Sequence, residues 1–177
     1  MTFMKLAIFG SADGAVSVEN ERLCKNIVVY LKQKEVTIVT GGSLGVPGLI
    51  ARLAFEAGAE TEVYSPDENA EQHHARSDNA PLHYFKKHTF NSGFTARSLE
   101  MIKNIDGAIV IGGRIGTLSE FTIAVEEGLD IAVMKGSGGI ADHLEYILLI
   151  AKKEFQNKIL FEENYKEAID KLLGLRA

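Results

Sequence analysis

The sequence predicts an α/β fold in which a doubly wound parallel sheet carries helices on both faces. Short apolar runs rich in β-branched residues alternate with longer segments whose apolar residues recur near the helical period. This alternation is typical of parallel strands joined by right-handed helical crossovers. The 177 residues are 46% apolar and 24% charged, and no linker, repeat or low-complexity tract interrupts them. We therefore expect one domain spanning residues 1–177.

The predicted strands are short, and several of them end at glycine. The first, Lys5–Phe9, is an apolar run of the buried type that leads into the turn Gly10–Gly14. The other strands are expected at residues 36–39, 61–64, 107–111, 131–134 and 158–161, with one more short strand near 83–85.

The predicted helices fill the intervals between the strands. The first runs from about 17 to 34 with Ser17 as its N-cap, and the second from about 47 to 56 with Gly58 as its C-cap. The remaining helices are expected at about residues 92–103, 117–127, 142–152 and 165–173. The polar stretch 65–82 carries two prolines and predicts a long irregular loop, of the kind that often binds ligands.

The composition limits the partners and the compartment. The formal charge is −5 with acids and bases interspersed, so no basic stripe predicts binding to nucleic acid. Cys24 is the only cysteine and lies at helical spacing among apolar residues, which indicates a buried thiol and a reducing compartment. No apolar run approaches the roughly 20 residues that span a bilayer. With a strand starting near residue 5, we expect a cytoplasmic protein without a signal peptide or a membrane partner.

Three of the predicted strands end in glycine-containing turns. In an open parallel sheet the carboxyl ends of the strands form the ligand-binding edge, and glycine lets backbone N–H groups approach an anion closely. The alternative is that these glycines only make tight turns, but three such turns at one edge favour a nucleotide phosphate site. The predicted phosphate-binding residues are Gly10, Ser11, Gly41, Gly42, Gly112, Gly113, Arg114, Gly116 and Thr117. Neither a G-x-G-x-x-G fingerprint nor a P-loop motif occurs.

Two charged residues near these turns are candidates for chemistry. Glu120 lies just inside the helix that follows the third turn, where a carboxylate is electrostatically unusual beside a phosphate site. Its alternative role is a favourable interaction with the helix dipole, worth roughly 0.3–1 kcal/mol. Arg97 lies on the preceding helix, and its alternative is a surface salt bridge with Glu100.

Together these stretches resemble the LOG (LONELY GUY) family, a group also labelled "possible lysine decarboxylase", within the SLOG superfamily of Rossmann-like folds. The match covers most of the chain. Phe9-Gly10-Ser11 and Thr40-Gly41-Gly42 resemble the family's first two turns. The family motifs R-K-x-x-M and P-G-G-x-G-T-x-x-E are matched at Arg97, Met101, Gly113, Gly116, Thr117 and Glu120. Three positions depart from the pattern, namely Ser98, Gly112 and Arg114.

The resemblance implies a phosphoribohydrolase that releases the base from adenosine 5′-monophosphate or from its N6-modified forms. It places the catalytic roles on Arg97 and Glu120, and it also implies a homodimer or higher homo-oligomer. Met101 and His74 are the expected contacts to the base, although an ordinary exposed loop is the alternative for His74. No lysine context predicts a pyridoxal Schiff base, and no ligand set predicts a metal, so no cofactor is expected. A non-catalytic nucleotide or molybdenum-cofactor carrier on the same fold is the competing hypothesis, and a regulatory subunit is a third.

Overall fold

A seven-stranded parallel sheet forms the centre of the computed structural model, which describes residues 4–12, 15–152 and 157–174. The strand order is β4-β3-β2-β1-β5-β6-β7, and every pair of neighbours is parallel. The strands are β1 (Lys5–Gly10), β2 (Thr37–Thr40), β3 (Thr61–Ser65), β4 (Lys87–Phe90), β5 (Gly107–Ile111), β6 (Asp130–Met134) and β7 (Ile159–Glu162).

Helices connect the strands and cover both faces of the sheet. They are α1 (Val18–Gln33), α2 (Val46–Ala57), α3 (Ala70–Ala75), α4 (Phe94–Ile102), α5 (Ile115–Glu126), α6 (Leu144–Ala151) and α7 (Tyr165–Leu172). Residues alternate between the two faces along β1: Leu6 and Ile8 join a core cluster with α1, α2 and α7, whereas Ala7 and Phe9 join one with α4, α5 and α6. The predicted doubly wound α/β fold is therefore confirmed.

The direction of winding reverses between β1 and β5. From β1 the chain adds β2, β3 and β4 on one side, and it then returns to place β5 on the other side of β1. Gly10 at the end of β1 pairs with Ile111 at the end of β5, so the turns that follow these strands emerge side by side. Such a switch point opens a crevice beyond the strand ends, which is where open α/β sheets bind ligands.

Several sequence-based boundaries are confirmed closely. β5 has the expected bounds, Ser17 caps α1 by accepting from the N–H of Asn20 at 3.2 Å, and Gly58 ends α2 in the left-handed conformation. The helix expected from 117 begins earlier, at Ile115, because Arg114 takes the N-cap position. Asp13 and Gly14 of the predicted first turn lie outside the described residues.

Two local expectations were wrong. The stretch 65–82 is not wholly irregular, since it contains the short helix α3, which begins where the Asn69 side chain accepts from the N–H of Gln72. The strand expected near 83–85 is a single 3-10 turn, Leu82–Tyr84, and β4 begins only at Lys87. Leu82 is buried, as an apolar residue of a strand would be. It nevertheless belongs to a 3-10 turn that begins directly after Pro81. Among the described helices, none is both long and apolar enough to cross a bilayer.

Candidate functional site

A cavity of about 400 Å³ lies at the switch point, beyond the carboxyl ends of β1, β2 and β5. The turns after β1 and β2 form one wall, and the first turns of α4 and α5 form the other. Of the predicted site residues, the cavity brings together Gly10, Ser11, Gly41, Arg97, Arg114, Gly116, Thr117 and Glu120. A larger groove of about 820 Å³ lies between α6 and β7, but none of the predicted site residues lines it.

Arg97 and Glu120 form a buried ion pair at the base of this cavity. Arg97 Nη1 lies 3.0 Å from Glu120 Oε1, and each residue is only 8% exposed. Burial raises the pKa of the Glu120 carboxyl above its ordinary value, and the neighbouring guanidinium lowers that pKa in part. The alternative for Arg97 was a surface salt bridge with Glu100. Arg97 pairs with Glu120 instead, and the Glu100 carboxylate accepts from the Asn104 amide.

The guanidinium of Arg97 is incompletely satisfied by the protein. Its Nε is buried and has no hydrogen-bond partner among the described residues. A buried donor without an acceptor is costly, so such groups are rare in folded proteins. Arg97 also lines the cavity, so this unsatisfied donor belongs to a side chain that borders the candidate ligand site.

The first turn of α5 lies at the same cavity. The first intrahelical hydrogen bond is donated by the N–H of Leu118 to the carbonyl of Arg114, so the preceding N–H groups have no acceptor within the helix. Gly116 and Thr117 belong to this turn, and both line the cavity. A helix N-terminus of this kind stabilises an anion through its N–H groups and its dipole.

Gly112 and Gly113 shape this turn in different ways. Gly113 has φ +98°, and a Cβ placed on it would lie 2.5 Å from the Thr117 side chain. Gly112 donates its N–H to Ser137 Oγ at 2.8 Å and accepts from the N–H of Ala141. The expectation that Gly112 offers its N–H to a phosphate is therefore not supported, because that donor already has a partner.

The glycines after β1 and β2 are also packed against protein atoms. A Cβ on Gly10 would lie 2.6 Å from Val46 Cγ1, so this glycine lets the β1 turn pack against α2. Gly42 has φ +78°, and a Cβ on it would meet Val63 at 2.6 Å. Gly42 is not among the residues that line the cavity within the described chain, whereas Gly41 and Ser11 are.

The two expected base contacts are not brought to the cavity. Met101 is 1% exposed and belongs to the core cluster on the α4–α5 face, since it points from α4 toward the sheet. His74 is exposed on α3 and is not a lining residue in the part of the chain that the structure describes. Its neighbour His73 is fully buried, with Nε2 2.8 Å from the Ala80 carbonyl and Nδ1 2.8 Å from Ser65 Oγ.

Seven residues that line the cavity were not predicted from the sequence, and Asp78, Phe94 and Ile115 are three of them. Phe94 and Ile115 are 50% and 80% exposed, unusually high values for large apolar side chains. Arg76 lies over the Phe94 ring, 5.0 Å from its centroid, and also binds Asp78 through a nitrogen 2.8 Å from a carboxylate oxygen. The sequence did contain a signal for two of these residues. Phe94 and Ile115 are apolar residues at the first positions of α4 and α5, the helices that carry Arg97 and Glu120.

A second cavity, of about 490 Å³, adjoins the first. The two share Ser11 and Arg114 as lining residues. The Gly112–Gly113 turn, the loop Gly136–Gly139 and residues 15–17, 19 and 20 around the start of α1 also line the second cavity. Asp142 ties this loop by accepting from the N–H groups of Gly136 and Gly138. Across the residues that the structure describes, no group of three or more histidine, cysteine or acidic side chains could hold a metal ion.

The fold and site define an α/β protein with a doubly wound sheet whose candidate ligand site lies at the topological switch point. The chain belongs to the SLOG cluster4 family, whose model matches residues 3–169. No curated protein matches it.

Solved structures share this architecture over nearly the whole chain. The protein TM1055 is 24% identical, with a TM-score of 0.83 over 98% of this chain and 100% of its own. The molybdenum cofactor binding protein of the phototrophic bacterium Rippkaea orientalis is 15% identical, with a TM-score of 0.78 over 98% of both chains. DNA processing protein A of Streptococcus pneumoniae is 19% identical, with a TM-score of 0.65 over 94% of this chain and 61% of its own. At these identities the likeness establishes the shared fold.

Proposed function

We propose that this protein is a phosphoribohydrolase that cleaves the N-glycosidic bond of adenosine 5′-monophosphate, or of an N6-modified form, to the free base and ribose 5-phosphate. The observation that carries the proposal is the buried Arg97–Glu120 pair, which faces a cavity beside the N-terminus of α5. Both groups can act on a single ligand. The N-terminus of α5 would bind its phosphate, and the carboxylate would act on a bond near that phosphate.

The first turn of α5 would hold the 5′-phosphate. The N–H groups of Gly116 and Thr117 supply donors, and the phosphate then acts as a handle that positions the ribose. Binding energy from this non-reacting end of the substrate can be used to orient the reacting carbon. The cavity of about 400 Å³ lies within the usual range for small-molecule sites.

Glu120 would act on the ribose carbon that bears the base. Its carboxylate accepts a proton from a water molecule as the water oxygen bonds to C1′, while the C1′–N9 bond breaks and its electron pair leaves with the base. The departing base takes up a proton from solvent, which balances the step. The negative charge of Glu120 also stabilises the oxocarbenium-like charge that develops on the ribose.

Arg97 would keep Glu120 in the charged form that this chemistry needs. The burial that raises the pKa of Glu120 favours the neutral acid, whereas the guanidinium at 3.0 Å favours the carboxylate. Arg97 also lines the cavity, where its guanidinium would contact the ribose or the purine. The resemblance of Arg97, Gly113, Gly116, Thr117 and Glu120 to the LOG motifs supports the same two catalytic roles.

The substrate class is tested by incubating the purified protein with AMP, with N6-modified adenosine monophosphates and with adenosine. Free base is followed by chromatography. We expect release from the 5′-monophosphates and little or none from adenosine, since the nucleoside lacks the group that α5 would bind. Equal release from adenosine would contradict the phosphate-handle role of α5.

A non-catalytic carrier of a nucleotide or of the molybdenum cofactor is the second candidate. The observation that favours it is the second cavity, which shares Ser11 and Arg114 with the first and could hold a ligand longer than a mononucleotide. One structural neighbour, from Rippkaea orientalis, is a molybdenum cofactor binding protein. Thermal stabilisation by such a cofactor, without release of base from any monophosphate, would favour this function over hydrolysis.

A further inference from the structure

We propose that Gly41 is a positioning residue for Arg97: its bare backbone is the surface on which the guanidinium rests while Arg97 contacts Glu120. This inference rests on the proposed function insofar as it concerns catalysis. It also changes the role of Gly41, which was predicted from the sequence to bind phosphate.

The contact between Gly41 and Arg97 is closer than any side chain would allow. A Cβ built on Gly41 would lie 1.6 Å from Arg97 Nη1 and 2.7 Å from Arg97 Cζ. Nη1 is the atom that lies 3.0 Å from Glu120 Oε1. Any residue other than glycine at position 41 must therefore displace the half of the guanidinium that makes the ion pair.

Side-chain space, and not backbone conformation, is what requires glycine at this position. Gly41 is not among the glycines with positive φ, whereas its neighbour Gly42 has φ +78°. A Cβ on Gly10 would meet packed Val46 side-chain atoms and the Ile111 carbonyl, but the three atoms nearest to a Cβ on Gly41 all belong to the Arg97 guanidinium. That group ends a flexible side chain, so an alanine would move Arg97 and leave the fold in place.

The Nε side of the guanidinium is less firmly held than the Nη1 side. Its Nε has no hydrogen-bond partner among the described residues, and the Phe94 ring lies 5.9 Å from Cζ. Nη1 itself lies between the Glu120 carboxylate and the backbone of Gly41, so both contacts act on its position. Because a misplacement of about 1 Å can cost a catalytic site about 10²-fold in rate, loss of this surface should be felt in the reaction.

The test compares Gly41→Ala, Arg97→Ala and the double variant, with Gly128→Ala as a control at the far end of α5. The Glu120 carboxyl is titrated by ¹³C NMR, with its signal assigned from Glu120→Gln. In Gly41→Ala we expect the pKa of Glu120 to rise, as we also expect in Arg97→Ala, and we expect the double variant to match Arg97→Ala. Base release should fall about 10²-fold in Gly41→Ala.

An unchanged pKa of Glu120 in Gly41→Ala, or shifts that add in the double variant, would overturn the proposal. If Gly41→Ala does not fold, recovery of folding in the double variant supports it, and failure of the double variant to fold overturns it. If the wild-type protein releases no base from any nucleotide, the phosphoribohydrolase function fails, but the titration still decides the role of Gly41.

Discussion

The turn after β2 and the turn after β5 are both glycine pairs at the same sheet edge, yet they use glycine for different purposes. At Gly41 and Gly42 the missing side chains make room for other residues of the protein, namely Arg97 and Val63. At Gly113 the glycine brings the backbone against Thr117 at the start of α5, whose first N–H groups have no intrahelical acceptor. The N–H groups of Gly42 and Gly112 donate to Thr40 Oγ1 and Ser137 Oγ, so these two glycines themselves are not the donors that this edge offers to a ligand.

Among the substitutions that test this comparison, Arg97→Ala should have the largest effect on stability. In Arg97→Ala the carboxylate of Glu120 is left buried without its partner, and breaking a buried pair costs about 3–5 kcal/mol. The folded-state pKa of Glu120, already above its ordinary value, would rise further. The part of the destabilisation that comes from the unpaired charge should therefore be absent below the raised folded pKa of Glu120 in the wild-type protein. It should grow as pH rises from there toward the still higher folded pKa of the variant.

Chemical denaturation at several pH values checks this expectation. Arg52→Ala is the matched control, because Arg52 forms an exposed pair with Glu56 at 3.1 Å and such pairs contribute about 0–1 kcal/mol. A loss of stability in Arg97→Ala that is equal at low and neutral pH would mean that an unpaired Glu120 charge is not its cause.

Gly113→Ala should lower stability and weaken nucleotide binding together. A residue other than glycine at φ +98° costs about 1–3 kcal/mol, and the added methyl would collide with Thr117 and distort the first turn of α5. Gly128→Ala is the control: it has φ +76° with nothing within 4 Å of an added Cβ among the described residues, and it follows the other end of α5. Thermal shifts with and without AMP should show lost ligand stabilisation only in Gly113→Ala.

The pH dependence of base release tests whether the reaction needs the ionised carboxylate of Glu120 and whether Arg97 keeps it ionised. The reaction needs the ionised carboxylate, and burial raises the pKa of Glu120 above its ordinary value of 4.5. Activity should therefore fall as pH decreases, with an acidic limb that lies above pH 4.5. In Arg97→Ala, residual activity should show this limb at still higher pH. A limb at the ordinary value in both proteins would assign the titration to another group.

The smallest effect on stability is expected for Gly116→Ala. Apart from the chain neighbours and the backbone of its own helix, no described atom lies within 4 Å of an added Cβ. The residue is helical, so stability should be unchanged or rise by about 0.4–1 kcal/mol. The methyl would enter the cavity, because Gly116 lines it. We expect a weaker thermal shift with AMP and an equal or higher melting temperature without it. An unchanged AMP shift would remove Gly116 from the binding turn.

Much of this architecture could be predicted because local patterns determine it. Strand β5 is a continuous apolar run between Asp106 and Gly112, and burial on both faces of the sheet requires such a run. Arg97 and Glu120 were singled out from the motif spacing, and the structure brings them to 3.0 Å because α4 and α5 both begin at the switch-point edge.

The remaining features depend on long-range contacts that no local pattern encodes. The spacing of Met101 to Arg97 predicted a shared role, but a step of four residues on α4 places Met101 one turn deeper, in the core. The role of Gly41 depends on a side chain 56 positions away in the sequence, where Arg97 lies. His74 was selected from a histidine pair, and only the fold shows that its neighbour His73 points inward.

Base release from AMP by the wild-type protein and by Glu120→Gln tests the central claim most directly. The substitution keeps the shape of the side chain and removes the carboxylate, while the α5 turn that would bind phosphate is untouched. We predict that the wild-type protein releases adenine, and that Glu120→Gln releases none although AMP still raises its melting temperature. Turnover by Glu120→Gln at the wild-type rate would contradict the proposed mechanism.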